Sequence, residues 1–153
     1  MLDNIIEDSD FGFLMKRNIE ELIIHFFQKE QNFGILCKIE DASFSPSLPE
    51  SINSEFSALT LFFLAGYTFE TARIENSTLV FEAGFGSENF GSLVSVPLLS
   101  IMQVIVDETP VLINLAIYKK EEEEEKKELE MRGVKNSMAS FLSNPENSKF
   151  VKK

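Results

Sequence analysis

Between residues 13 and 31, Leu14, Met15, Ile19, Leu22, Ile23, Phe26 and Phe27 recur at steps of three and four, which predicts a helix with one wide apolar face. Asp8, Ser9 and Asp10 offer capping oxygens before it, and Asn32 and Gly34 offer stop signals after it. A face that wide can cover a sheet and also meet a second copy of itself. The run Ile35-Leu36-Cys37-Lys38-Ile39 predicts a strand, and residues 43–54, with Pro46, Pro49 and several serines, predict a loop. Three further strand-like runs follow at 56–64, 67–74 and 78–85, separated by Gly66 and by Glu75-Asn76-Ser77. In the last of these, Leu79, Phe81, Ala83 and Phe85 alternate with Val80, Glu82 and Gly84, giving one apolar face and one partly wet face. Gly84, Gly86 and Gly91 around Ser87-Glu88-Asn89 mark a loop. Ser95-Val96-Pro97 is placed to open a short helix with Leu98, Ile101, Met102 and Ile105 on one side. Asp107-Glu108-Thr109-Pro110 would close it, and residues 111–118 form a final strand. The expected body is a small α+β domain.

The composition turns at Lys119. Lys119-Lys120, five glutamates at 121–125 and Lys126-Lys127-Glu128 set opposite charges at helical spacing with almost nothing apolar to bury, which predicts a solvated helix. Beyond Met131 the chain is rich in Ser and Asn and is expected to be disordered. The division is therefore a body, residues 1–118, and an extended charged tail, residues 119–153. The whole chain of 153 residues has 14 Lys plus Arg against 25 Asp plus Glu, a net charge of -11. The tail holds 9 basic and 8 acidic residues, which leaves 5 basic and 17 acidic for the body, net -12. A surface of that sign repels phosphate backbones, so no nucleic-acid partner is expected.

A single cysteine, Cys37, makes no intrachain disulfide, and Cys37 with His25 falls short of the four ligands of a structural zinc site. No metal and no cofactor are expected. Asp3, Glu7 and Asp8 stand where a signal peptide needs Lys or Arg, and no apolar stretch approaches the roughly 20 residues that span a bilayer. These features predict a cytoplasmic protein without a membrane partner. His25 lies among Ile23, Ile24, Phe26 and Phe27, with no serine or cysteine spaced to form a triad. Cys37, in the middle of an apolar run, reads as a small core residue. Gly84-Phe85-Gly86 lacks the continuation of a dinucleotide fingerprint, and neither a P-loop lysine nor a calcium loop is present. A binding module is expected, not an enzyme.

Phe81-Glu82-Ala83-Gly84-Phe85-Gly86 is followed, after a short glycine-containing loop, by Val94-Ser95-Val96-Pro97-Leu98. This pair of motifs resembles the SspB (stringent starvation protein B) family, adaptors that deliver tagged proteins to the AAA+ protease ClpXP. In that family the first motif reads approximately F-N-A-R-F-G and the second S-V-P-L with a helix behind it. Glu82 and Gly84 stand where the family commonly has Asn and Arg. The order of predicted elements over the body is similar too. The resemblance implies a small Sm-like half-barrel of antiparallel strands with an N-terminal helix and a short second helix. It also implies a groove for degron-tagged polypeptides such as those carrying the ssrA tag, a homodimer through the N-terminal helix, and a tail that docks on a ClpX-type unfoldase. On this reading Phe81, Ala83 and Phe85 hold the peptide, with Ile101 and Ile105 as walls of the groove. Leu22 and Phe26 meet across the dimer, and Lys149, Phe150, Val151 and Lys152 form the docking tip. Apolar residues at these periods serve equally well as ordinary core, so both assignments stand on the sequence. A second functional class also fits the size and charge: an acidic cytoplasmic chaperone for secretion or flagellar export clients, which would not need Phe150 and Val151.

Overall fold

A computed structural model describes residues 1–119, and the chain divides into two units, Met1–Tyr118 and Lys119–Lys153. The charged helix, the disordered segment and the docking tip expected from residue 120 onward, Lys149, Phe150, Val151 and Lys152 included, lie outside the described residues. The first unit is α+β. It begins with α1 (Leu2–Ile6) and α2 (Ser9–Gln28), the long helix whose apolar period is plain in the sequence. The Asp8 side chain accepts from the Asp10 amide at 3.2 Å and so caps α2, and the chain leaves the helix through Lys29 and Glu30, the latter at φ 54°. Ile19 and Ile23, one turn apart, carry the fully buried stripe.

The strands are β1 (Phe33–Lys38), β2 (Ser43–Ser45), β3 (Leu59–Leu64), β4 (Arg73–Glu75), β5 (Thr78–Phe85), β6 (Phe90–Pro97), β7 (Ile101–Val106) and β8 (Thr109–Ile113). Two one-turn helices, α3 (Glu50–Asn53) and α4 (Tyr67–Thr71), are inserted among them. All strand pairs are antiparallel and form two four-stranded sheets, in the orders β3-β1-β7-β8 and β2-β6-β5-β4. Phe33, Ile35 and Cys37 of β1, Phe62 and Leu64 of β3, and Ile101 and Val104 of β7 point inward from the first sheet. Leu79 and Phe81 of β5 and Val94 and Val96 of β6 point inward from the second, and α2 completes the same core with Ile19 and Ile23. Phenylalanine rings make the join: Phe62 lies 5.6 Å from Phe81 and 6.3 Å from Phe85, ring centre to ring centre, and 6.2 Å from Phe56.

Four expectations change. The short second helix is absent: β6 runs through Pro97, a single 3-10 turn (Leu98–Ser100) follows, and Ile101 and Ile105 belong to strand β7. The cause is a bulge. Leu36 pairs with Gln103 but Cys37 with Ile101, so Met102 is an extra residue, and the inward positions Ile101 and Val104 stand three apart, which imitates a helical step. The run 67–74 is not a strand either. Gly66, at φ 58°, turns the chain into α4, and Phe69 anchors that helix edge-on to Phe27 and Phe33 at 5.8 and 6.3 Å. Tertiary packing here overrides the β-leaning composition Tyr-Thr-Phe-Glu-Thr. The loop 43–54 contains β2 and α3. The last strand lies earlier than 111–118 and ends at Ile113, because buried Asn114 behaves as a cap. Its Nδ2 donates to the Leu99 and Ile101 carbonyls at 3.0 and 2.9 Å, and its Oδ1 accepts from the Ala116 amide at 2.9 Å.

Because Phe62 of the first sheet touches Phe44, Phe81 and Phe85 of the second, Phe62→Ala is expected to lower the unfolding free energy by about 3–5 kcal/mol, measured by urea denaturation of the full chain.

Candidate functional site

The five residues expected to form a groove are not brought together on one surface. Phe81 and Ile101 have 0% exposure and belong to the core. Ala83 and Phe85 pack against that core, with the Phe85 ring 5.7 Å from Phe44 and 5.9 Å from Phe56. Ile105 pairs with Gly34 on the other sheet and lies on the face turned away from the core. β5 does alternate, but its apolar side is the inner one: Phe44, Phe56 and Phe62 already pack around Phe85 in the space that a peptide would need. Leu22 and Phe26 likewise pack on the protein's own core, Phe26 at 5.5 Å from Phe33, while the exposed apolar residues of α2 are Phe13, Leu14 and Ile24.

The opposite face of the same hairpin is open. The β5–β6 register runs from Thr78↔Pro97 to Phe85↔Phe90, and the connecting turn uses Gly86 at φ 74° and Asn89 at φ 54°. A concavity of about 450 Å³ crosses its outward surface from Tyr67 and Thr68 of α4, past Glu82, Gly84 and Gly91, to Ser45 at the end of β2 and Pro46 beyond it. Gly84 faces Gly91 across the hairpin, and at Gly91 the floor is bare backbone. A side chain at Gly91 would meet nothing within 4 Å, whereas one at Gly84 would collide with the Asn89 carboxamide, whose Oδ1 already occupies that space.

One edge of this floor lacks a strand partner. β4 pairs with β5 only through Val80, after which α4 lies alongside. There the Thr71 hydroxyl takes the place of a carbonyl and accepts from the Glu82 amide at 3.0 Å. With a two-residue period, the Gly84 peptide groups point the same way as those of Glu82. Among the described residues no strand pairs with them there. Above this edge the Tyr67 hydroxyl donates to Glu82 Oε2 at 2.6 Å. That hydrogen bond, together with the negative charge of Glu82, raises the phenol's pKa above its ordinary value. The arrangement offers backbone acceptors and donors, one carboxylate and small-residue clearance. Such groups suit the main chain of an extended peptide. Sequence reasoning missed Tyr67, Glu82, Gly84, Asn89 and Gly91. The signal for three of them was present in the polar side of the alternation in β5 and in the glycines that flank the turn.

His25 and Cys37 do not line this cleft. His25 is exposed on α2, 6.1 Å from the Phe26 ring. Cys37 is solvent-inaccessible, and burial, with a smaller contribution from the Asp41 carboxylate, pushes its thiol up to about 12. Among the described residues no group of three His, Cys, Asp or Glu side chains is placed to hold a metal ion.

A thiol with a raised pKa holds its proton more tightly in the folded state. Its contribution to stability is therefore complete below the unfolded value of 9.0 and is lost as pH rises toward about 12. Unfolding curves are expected to weaken through that interval, and Cys37→Ala to flatten the slope. For the cleft, Glu82→Gln is expected to bring the ionisation of one of the two tyrosines back down toward its ordinary pH. Tyrosinate absorbance during an alkaline titration reads this directly, and an unchanged curve would show that the Tyr67–Glu82 bond does not form.

Compared with known proteins, the chain matches no family model, no curated protein and no solved structure, so its function is to be read from the cleft itself.

Proposed function

We propose that the protein is a peptide-holding adaptor of the SspB type, in which the body grips a degron tag in the cleft over β5 and β6 and the tail tethers it to a ClpX-type unfoldase. The observation that carries the reading is the edge of β5 at Gly84, which no strand among the described residues pairs beyond the Thr71-bonded amide of Glu82, beside a concavity whose floor is bare backbone at Gly91. An extended tag laid along that edge exchanges main-chain hydrogen bonds with Gly84 and places its alternate side chains toward Tyr67 and Asn89, a mode in which backbone contacts provide affinity and pockets provide selectivity. Two antiparallel sheets with a helix ahead of them are compatible with the Sm-like half-barrel of that family, and the cytoplasm is the compartment the reading implies. Among the described residues no helix is long and apolar enough to cross a membrane.

No catalytic group is required of such a protein. A linker of about 30 residues keeps its cargo within roughly 30 Å of the machine, which raises the local concentration toward the millimolar range, so weak contacts at both ends suffice. The cargo chemistry follows from charge. With Glu82 at the edge and a body of net -12, neutral or lysine-bearing tags are favoured over acidic ones, with affinity falling as salt rises.

Fluorescence anisotropy of a labelled ssrA-type peptide against the full chain tests the cleft. Gly91→Phe, which fills the cleft without touching the fold, is expected to weaken binding about tenfold or more at an unchanged melting temperature. Equal binding by that variant, or tighter binding of an acid-substituted tag, refutes the reading. Deleting residues 147–153 is expected to leave tag binding intact and abolish recovery of the unfoldase in a pulldown. A chain that works as an export chaperone keeps its function after the same deletion.

A further inference from the structure

The first sheet has a second apolar surface, on the side away from the core. On β3, Leu59, Leu61 and Phe63 are 45%, 55% and 63% exposed, alternating with inward Phe62 and Leu64. On β8, Val111 and Ile113 are 50% and 59% exposed. Register joins these edges into continuous rows: Phe63, Gly34 and Ile105 form one, and Leu61, Leu36, Gln103 and Ile113 the next. Phe63 and Leu61 lean over Gly34, where an added Cβ would lie 3.6 and 3.1 Å from their side chains, so the surface is smooth and lacks a deep furrow. Counting the partly exposed Leu36 and Ile105, the face presents roughly 600 Å² of apolar area, the upper end of what a monomer leaves bare.

We propose that this face is the interface between two copies of the chain, stacked sheet on sheet about a two-fold axis passing near Gln103. Three observations select a second copy. Two such faces together would bury about 1,200 Å², the threshold of a stable specific interface, in the aligned geometry that sheets adopt at a spacing of about 10 Å. A body of net -12 repels its own kind, and these rows carry none of that negative charge: of the positions in them and in the Lys38–Leu59 pair beside them, only Lys38 is charged. Gln103 sits between Leu36 and Ile113 in the middle of the apolar field. A carboxamide there is matched by the same group related by a two-fold axis, because each donates its N–H to the other's oxygen, whereas an apolar client would leave it unsatisfied. The α2 helix is the weaker alternative, since Leu22 and Phe26 are spent on the protein's own core. The tag cleft lies on the other sheet, so this proposal and the adaptor reading can fail independently.

Sedimentation equilibrium of the full chain from about 1 to about 100 µM is expected to give a dimer. Phe63→Glu and Ile113→Glu, both at exposed positions, are expected to weaken association about a hundredfold each with unchanged circular dichroism and melting temperature. Ile24→Glu on α2 should leave association as it was. The dimer should tighten as salt rises from about 50 to about 500 mM, because screening relieves like-charge repulsion. In a Cys37→Ala background, Gln103→Cys should cross-link the two copies on mild oxidation. A monomer at every concentration overturns the proposal. So does a dimer broken by Ile24→Glu but not by Phe63→Glu, and so does a monomer that captures a reduced, unfolded protein through this face.

Discussion

Contact between phenylalanine rings across the two sheets is the constraint on which the rest of the body rests. The chain has 15 phenylalanines and no tryptophan, and among the described residues nine of the rings gather in two clusters that join elements. Phe62 reaches across from β3 to Phe81 and Phe85 of β5, and Phe44 of β2 and Phe56, stacked at 5.8 Å, close the same cluster. A second group, Phe26, Phe27, Phe33 and Phe69, ties α2 and α4 to β1. Each tilted or edge-on pair adds a modest amount beyond the area it buries, and together they set the spacing of the layers.

From that constraint the cleft follows. β5 must turn Leu79, Phe81 and Phe85 inward to meet the other sheet, so Glu82 and Gly84 are forced outward by the pleat. β4 is only three residues long, and α4, held by Phe69, takes up the space where a longer β4 would have paired. The open edge of β5 is therefore a by-product of aromatic packing on its hidden side. The same alternation on β3 pushes Leu59, Leu61 and Phe63 outward, giving the first sheet a surface that resembles an interior.

What was legible in the sequence had a local cause. The period of α2, the alternation of Thr78–Phe85, the turn glycines and the change of composition at Lys119 all express preferences that a short segment states by itself. The errors arose where a feature is defined by a partner. The extra residue Met102 makes sense only opposite Leu36 and Cys37, and without that pairing Leu98, Ile101, Met102 and Ile105 read as one side of a helix. Five residues of α4 carry no periodic signal, and Gly66 and Phe69 place them through contacts far away in the chain.

By itself the sequence determined that β5 would have an apolar and a wet side, because alternation is a property of the strand alone. Which of those sides would face a ligand was decided only by tertiary structure. Inward and outward have no meaning until a second sheet stands opposite, and it was Phe62, 19 positions before Phe81 in the chain, that made the apolar side the inner one.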